Sequence, residues 1–245
     1  MTDSASTEQE SSHDNNDIQI LSEDYSTFDY NFKIIIIGDQ SVGKSALTNK
    51  ALKEDFDINY KATVGFEFYL MNLKFKNNII RLQIWDTCGQ EIYRSLISNF
   101  YRGASIAVLV YAINDRQSFS SLDEWIKQIK ENGSPDVKFF LIGNKKDLEK
   151  ERVVSFEEGK TLSENYDMSY FNETSAKTGE NARKLMIDAA KMLYDDAKDL
   201  EKAGKQNDTL SSNYVYINNI INRSKLDPQK CVNKKKNKGK NRCCN

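Results

Sequence analysis

From Phe32 onward, short apolar runs alternate with amphipathic stretches. The unbroken run Ile34 to Ile37 reads as a strand buried on both faces, about 32–37. A helix follows at about 44–53, and then a polar, extended stretch from Glu54 to Gly65. Two strands, about 66–75 and 79–86, are joined by Lys76-Asn77-Asn78, which reads as a hairpin. A loop and short helix cover about 87–102, and the remainder alternates. Strands are expected at about 105–111, 137–143 and 168–172, and helices at about 116–132, 155–166 and 179–200. The pattern predicts an α/β fold: a six-stranded, mostly parallel sheet with one antiparallel edge strand and helices on both faces. There is no internal repeat.

Composition adds boundaries to this picture. The chain has 245 residues, 39% of them hydrophobic, enough for one domain over residues 32–200 with a tail on each side. Residues 1–31 are rich in Ser, Asp, Glu and Asn, with few large apolar residues until Tyr25 and Phe28, and are expected to be disordered. The net charge of −1 conceals an asymmetry. Residues 1–32 carry eight acidic side chains and no Lys or Arg, while residues 230–242 carry seven Lys/Arg and no acid. The acidic segment reads either as a solvated tail or as a contact for the basic tail or a partner. No apolar run is long enough to span a bilayer, and the polar, acidic N-terminus is not a signal peptide. Four cysteines, two of them adjacent, form neither a disulfide framework nor a zinc pattern, so a reduced, cytosolic chain is expected.

Three motifs carry chemistry. The first is Gly38-x-x-x-x-Gly43-Lys44-Ser45, placed between a strand and a helix. Its glycines let successive N–H groups turn inward around an anion, and the following helix N-terminus favours negative charge. Lys44 supplies a mobile point charge for β- and γ-phosphates. Ser45 supplies a hydroxyl for Mg²⁺, which takes few protein ligands. The second motif is Asp86 at a strand end, followed by Thr87-Cys88-Gly89-Gln90. Asp86 can hold Mg²⁺ through water, Gly89 can bring its N–H to a terminal phosphate, and Gln90 can orient an attacking water. The third is Asn144-Lys145-Lys146-Asp147 with Ser175-Ala176-Lys177 further on. The Asp147 carboxylate can accept from the ring N–H and exocyclic amine of guanine, which adenine does not offer, and a site built this way rejects the wrong base by roughly 10⁴–10⁵. The Ala176 N–H can donate to the guanine carbonyl, Asn144 can bridge the base and the P-loop side, and the Lys145 stem can lie along the purine.

In this order, with Thr63 between the first two motifs, the chain resembles the Ras-type small GTPases, and within them the Rabs, over about Phe32 to Leu200. The Rab-like stretches are Val64-Gly65-Phe66-Glu67-Phe68, Arg81-Leu82-Gln83-Ile84-Trp85, Tyr93-Arg94-Ser95-Leu96, Tyr101-Arg102-Gly103-Ala104 and Leu109-Val110-Tyr111. The resemblance implies a P-loop small G domain that binds GTP or GDP with Mg²⁺ and hydrolyses GTP. It implies nucleotide contacts from Ser41, Val42, Gly43, Lys44, Ser45, Ala46, Phe56, Tyr60, Thr63, Gly89, Asn144, Lys145, Asp147, Ser175, Ala176 and Lys177. Metal contacts would come from Ser45, Thr63 and Asp86, and catalytic roles fall to Gln90, Lys44 and Thr63. On the residues alone, Phe56 and Tyr60 also read as ordinary packing. Three positions depart from the usual pattern. Cys88 stands where Ala is common and should fit, Gln40 stands where Ras proper has Gly, and Ala112 stands where Asp is common and reads as a surface change. Trp125, Phe139 and Phe140 read as core.

Residues 201–245 form a linker that becomes polybasic and ends Cys243-Cys244-Asn245. A C-a-a-X box is excluded because Arg242 occupies the fourth position from the end. The adjacent Cys243 and Cys244 resemble the double geranylgeranylation signal of Rabs, and two lipids give stable anchoring where one gives marginal binding. A nuclear-localisation-like patch or a solvated tail are the other readings, and Cys231 is a further acylation candidate. The resemblance implies a monomeric, membrane-anchored switch on the cytoplasmic face of an endomembrane (Golgi, endosome or vesicle), cycling with cytosol. Its partners would be an exchange factor, a GTPase-activating protein, effectors at about 58–68 and 88–100, a GDP-dissociation inhibitor or escort protein and a prenyltransferase, with no nucleic acid. The alternatives are a GTP-loaded scaffold that barely hydrolyses and a P-loop kinase or ATPase.

Overall fold

In the computed structural model, which describes residues 18–54, 65–87 and 100–203, seven strands form one sheet. In chain order these are β1 (Ile18–Leu21), β2 (Tyr30–Ile37), β3 (Phe66–Phe75), β4 (Asn78–Thr87), β5 (Ile106–Ala112), β6 (Lys138–Asn144) and β7 (Tyr170–Glu173). Their spatial order is β1-β3-β4-β2-β5-β6-β7. The helices are α1 (Lys44–Lys53), α2 (Arg116–Ser120), α3 (Leu122–Asn132), α4 (Phe156–Asn165) and α5 (Ala182–Lys202).

The apolar run of β2 is continuous because β2 is central and covered on both faces. Phe32, Ile34 and Ile36 enter the core beneath α1 and α5, with Leu47, Leu185 and Ala189. Ile35 and Ile37 enter the opposite core, beneath α3, with Trp125, Ile126 and Ile129. Each such side chain contributes about 1.5–3 kcal/mol by leaving water. β2 pairs in parallel with both β4 and β5, so the direction of strand succession reverses at its C-terminal end. In open α/β sheets, ligands bind in the crevice at that switch point.

Two expectations need correction. The sheet has seven strands where six were expected, with its antiparallel pairings gathered at one edge. β3 runs antiparallel to β4 on one side and to β1 on the other. The extra strand lies inside the segment 1–31 expected to be disordered. Composition averaged over that segment hid Ile18-Gln-Ile-Leu21, a run too short to hold structure alone. It becomes a strand because the outer edge of β3 offers a ladder, pairing Ile18 with Phe75 through Leu21 with Asn72.

After β1 the chain forms a strap across the sheet. Asn72 of β3 is buried, and its Nδ2 donates to the carbonyls of Ser22 at 2.9 Å and Glu23 at 3.2 Å. The Arg81 Nε donates to Asn72 Oδ1 at 2.9 Å, and its guanidinium also bonds the Tyr25 carbonyl and stacks on Phe28 at 4.1 Å. Asp29 then closes a two-way pair with Ile79: its N–H donates to the Ile79 carbonyl at 2.8 Å, and its carboxylate accepts the Ile79 N–H at 2.7 Å. The polar side chains satisfy strap carbonyls that would otherwise meet the sheet unpaired.

Truncating Asn72 to Ala should leave two carbonyls and one guanidinium N–H short of a partner at a cost of about 1–3 kcal/mol. Chemical denaturation should register that loss. Hydrogen exchange should show the β1 and Asp29 amides opening well before β2 and β5. Uniform protection in the variant would mean that the strap does not depend on Asn72.

Candidate functional site

The chain leaves β2 through Gly38, whose φ of +145° is open to glycine; a Cβ there would lie 2.1 Å from the Val110 carbonyl oxygen of β5. Ser41 also adopts a left-handed conformation, φ 64°, and Gly43 does so at φ 94° just before α1. A side chain at Gly43 would lie 2.5 Å from Asn144 Nδ2. The two glycines therefore allow close approach as well as turning. Val42 is buried, Ser41 is exposed, and Ala46 is half-buried in the first turn of α1.

Lys44 is buried, and its ammonium donates to the carbonyls of Gly38 at 2.9 Å and Asp39 at 2.8 Å, which folds the side chain back over the loop. The Asp39 carboxylate in turn accepts from Trp125 Nε1 at 2.8 Å. Trp125 is core, as expected, with Phe139 and Phe140. Its indole N–H does more than pack: it ties α3 to the loop residue whose carbonyl holds Lys44. Spacing along the chain gives no sign of this link across 86 positions.

Asp86 lies at the end of β4 beside the first turn of α1 and is inaccessible to solvent. Burial pushes its carboxyl up to about 6, outweighing the pull of the Ser45 hydroxyl and the Lys44 ammonium in the other direction, with Glu67 adding to the rise. The Ser45 hydroxyl is near enough to favour the ionised form, yet neither carboxylate oxygen completes a hydrogen bond of normal geometry among the described residues. A buried carboxylate so poorly compensated, beside a hydroxyl, fits a hard divalent cation.

Asn144 holds the two halves of the site together. It is buried at the end of β6. Its Nδ2 donates to the Val42 carbonyl at 2.9 Å and, at 3.4 Å, to that of Gly43. Its Oδ1 accepts from Thr174 Oγ1 at 3.1 Å and from the Ala176 N–H at 3.3 Å. Lys145 follows in a left-handed conformation, φ 67°, and a 3₁₀ turn over Lys146–Glu151 carries Asp147. The Asp147 carboxylate accepts from Ser175 Oγ at 2.6 Å, and Ser175 Oγ itself accepts from the Thr178 N–H at 3.1 Å. Arg152 braces this turn against β7 through a bidentate pair with Glu173 at 2.6 and 2.8 Å. Lys145 is half-buried and Lys177 exposed.

The P-loop, Asp86, Asn144 to Asp147 and Ser175 to Lys177 thus gather at one end of the sheet. Phe56, Tyr60, Thr63, Cys88, Gly89 and Gln90 lie outside the described residues, as do Cys231, Cys243 and Cys244. Ala112 is a correction: it is buried, not on the surface, because it ends β5 opposite Asn144 and its N–H donates to Ser118 Oγ at 3.0 Å. Phe66, Phe68 and Trp85, which stand in two of the Rab-like stretches, form an aromatic cluster on the hairpin that carries Asp86, joined by Phe100 from outside it. Phe66 and Phe68 lie 5.3 and 5.0 Å from Trp85, and Phe100 lies 4.6 Å from Phe66. Phe66 and Phe68 remain 45% and 44% exposed, unusual for large apolar side chains that touch one another. Phe66 and Phe68 share a face of β3, opposite Glu67.

Comparison with known proteins agrees with this geometry. The Ras family model matches residues 33–195. A Ras-related protein Rab-11B of Dictyostelium discoideum is 41% identical over 167 residues, covering 68% of this chain and 76% of that protein. RABA1b of Arabidopsis thaliana is 39% identical over 167 residues, 68% of this chain and 77% of that one. RABA5d of the same plant is 43% identical over 162 residues, 66% of this chain and 74% of that one. The chain belongs to the Ras family. Within it, this is a Rab-type small GTPase, an enzyme that binds GTP and GDP and converts GTP and water to GDP and phosphate. The sheet end that gathers these motifs is the candidate nucleotide site of this Rab-type GTPase.

Trp125→Phe keeps an aromatic ring in the core and removes the donor to Asp39, at the cost of some buried ring volume. The loss of one such bond, about 1 kcal/mol, should speed GDP release about fivefold in a fluorescent-nucleotide displacement assay. The effect should not add to that of Asp39→Ala. An unchanged release rate would show that the loop holds Lys44 without α3.

Proposed function

We propose that this Rab-type GTPase, a regulator of vesicle trafficking, works as a membrane-anchored switch that recruits effectors in its GTP form. The observation that carries the reading is the placement of the exposed Phe66 and Phe68, which pack on Trp85, on the same hairpin whose last residues include Asp86, with Phe100 closing the cluster from outside it. A change at the phosphate end can then be felt at a docking face without passing through the rest of the core.

Each residue has a distinct task. The P-loop N–H groups and Lys44 hold the phosphates, and the two carbonyls on the Lys44 ammonium keep it aimed along the loop rather than into solvent. Asp147 selects guanine by accepting from its ring N–H and amine, with Ser175 holding the carboxylate in place. Asn144 keeps the base side and the phosphate side at a fixed separation. Ser45 and Asp86 would hold Mg²⁺, joined by Thr63 on the family pattern, and the ion would neutralise charge that builds on the β- and γ-oxygens. Gln90 orients the water for in-line attack on the γ-phosphorus, and Thr63 and Gly89 sense the γ-phosphate while it is present. On the family pattern Phe56 would pack edge-on against the guanine and Tyr60 would close over the phosphates.

The tail supplies the anchor. Geranylgeranyl chains on Cys243 and Cys244 give the two lipids that stable attachment requires, and the basic residues before them add roughly 1 kcal/mol each near an anionic leaflet. The chain then cycles between an endomembrane and the cytosol. An exchange factor, a GTPase-activating protein, a GDP-dissociation inhibitor or escort protein and a prenyltransferase serve it.

Single-turnover hydrolysis, alone and with a cognate activator, should release phosphate from GTP. Its absence under both conditions would leave a GTP-loaded scaffold. Asp147→Asn should erode a preference for GTP over ATP of roughly 10⁴ in competition binding, and equal displacement of guanine nucleotide by ATP in the unaltered protein would reject the role given to Asp147. Replacing both Cys243 and Cys244 by Ser should move the protein from the membrane fraction to the cytosol; retention would reject lipid anchoring.

A further inference from the structure

The turn that carries Asp147 does not hold its own position. The 3₁₀ segment Lys146–Glu151 has no buried residue, and it is broken at Leu148, where φ is −93° and ψ is 37°. A 3₁₀ turn is also less well hydrogen-bonded than an α-helix. Core packing therefore does not decide where Asp147 points, and its neighbours must. On the N-terminal side they are the buried Asn144 and the Lys146 N–H, which donates to the Thr174 carbonyl at 3.0 Å. On the C-terminal side the turn ends at Arg152.

The Arg152 guanidinium is fully engaged. Its Nε and Nη2 donate to Glu149, inside the turn itself, at 2.9 and 2.7 Å. Its Nη1 and Nη2 donate to Glu173 at 2.6 and 2.8 Å, and Nη1 also donates to the Val154 carbonyl at 2.9 Å. These bonds use every N–H that a guanidinium carries. The two carboxylates differ in setting. The Glu149 side chain is 63% exposed, whereas that of Glu173 is 4% exposed and that of Arg152 18%. Water screens the first pair and is largely excluded from the second. Glu173 is the last residue of β7, and Thr174, Ser175 and Ala176 follow it directly. Its stem lies against Gly143 of β6, where a Cβ would stand 3.2 Å from Glu173 Cγ and 2.8 Å from Tyr111 Oη. One guanidinium thus clamps the turn of Asp147 to the strand that leads into the loop of Ala176. The ion pair of Lys146 with Glu180 at 2.5 Å spans the same two loops, but both side chains are exposed and the pair is correspondingly weak.

We infer that Arg152 is a positioning residue for base recognition: anchored by Glu173, it holds the Asp147 carboxylate at the spacing from the Ala176 N–H that guanine requires. This rests on the reading of Asp147 and Ala176 as base contacts. Guanine would meet the first through its ring N–H and amine and the second through its carbonyl, so both contacts must be in register at once. Arginine suits the place because a lysine ammonium is a single point and cannot bond two carboxylates as a fork. Loops that hold the right spacing only about one time in ten retain nucleotide about tenfold less well. The phosphate end is held separately, by Lys44 and the carbonyls of its own loop.

Glu173→Gln keeps the shape of the side chain and leaves Arg152 its bonds to Glu149 and Val154. The variant should release a fluorescent GDP about tenfold faster, and its preference for GDP over inosine diphosphate, which lacks the amine, should shrink. Single-turnover hydrolysis of preloaded GTP should keep its rate. Arg152→Lys should fall between the variant and the unaltered protein, and Glu149→Gln, on the exposed arm, should change release by less than about twofold. Release from Glu173→Gln at the unaltered rate overturns the proposal. Hydrolysis that slows as release quickens also overturns it, since that marks a general loosening. Faster release with an unchanged GDP preference overturns it too, because Asp147 would then keep its aim without the clamp. If Glu173→Gln does not fold, the same three measurements on Arg152→Lys decide. If the unaltered protein binds GDP and inosine diphosphate equally, the role given to Asp147 fails, and the release and hydrolysis rates alone then decide whether the clamp holds the nucleotide.

Discussion

One buried side-chain amide, that of Asn144, joins the three segments on which the site is built. Its donor side takes carbonyls of the P-loop and its acceptor side takes the loop after β7, while its backbone ends β6. Those segments come from chain positions far apart, and the amide gives them a fixed spacing. A nucleotide has a fixed length between base and phosphate, so the spacing must be fixed too. An amide suits the place because it offers donors on one side and an acceptor on the other, which neither a carboxylate nor a hydroxyl does in the same span. The absence of a Cβ at Gly43 is the complementary requirement, since a methyl there would crowd the amide nitrogen.

Around that tie, charge is managed by burial. Lys44 is satisfied by carbonyls of its own loop, and Asp147 by a hydroxyl. Asp86 is the exception, buried with no complete hydrogen bond among the described residues and its carboxyl held well above the usual range. Such a group is costly in isolation and becomes favourable beside a cation. A partner cation bound beside Asp86 would therefore add stability to the end of the β3–β4 hairpin.

The strap shows the same economy at the other pole. Its four-residue strand would not persist by itself. Asn72, Arg81 and Asp29 hold the strap through hydrogen bonds that join it to β3 and β4. A segment of acidic composition thereby becomes part of the sheet and gives the domain an edge strand.

The periodicity of the chain was enough for most of the elements. The run Ile34–Ile37 had to be central because it is apolar on both faces, and the β3–β4 hairpin followed from two alternating stretches around Lys76 and Asn77. The P-loop, Asp86 and Asn144–Asp147 were legible because their chemistry depends on local order: a glycine, a lysine and a hydroxyl in fixed succession, or an acid at the end of a strand. The residues whose roles depend on distant partners were not legible. Ala112 looked superficial until β6 and α2 closed over it. Trp125 looked like filling until its N–H met Asp39. Ile18–Leu21 looked disordered because a short strand has no meaning without the edge that receives it. The sequence by itself determined which groups could meet a nucleotide, since that is a matter of residue type and spacing. Only the tertiary structure decided which of them brace one another and where the tails depart, since hydrogen bonds across the fold follow from packing and leave no periodic trace.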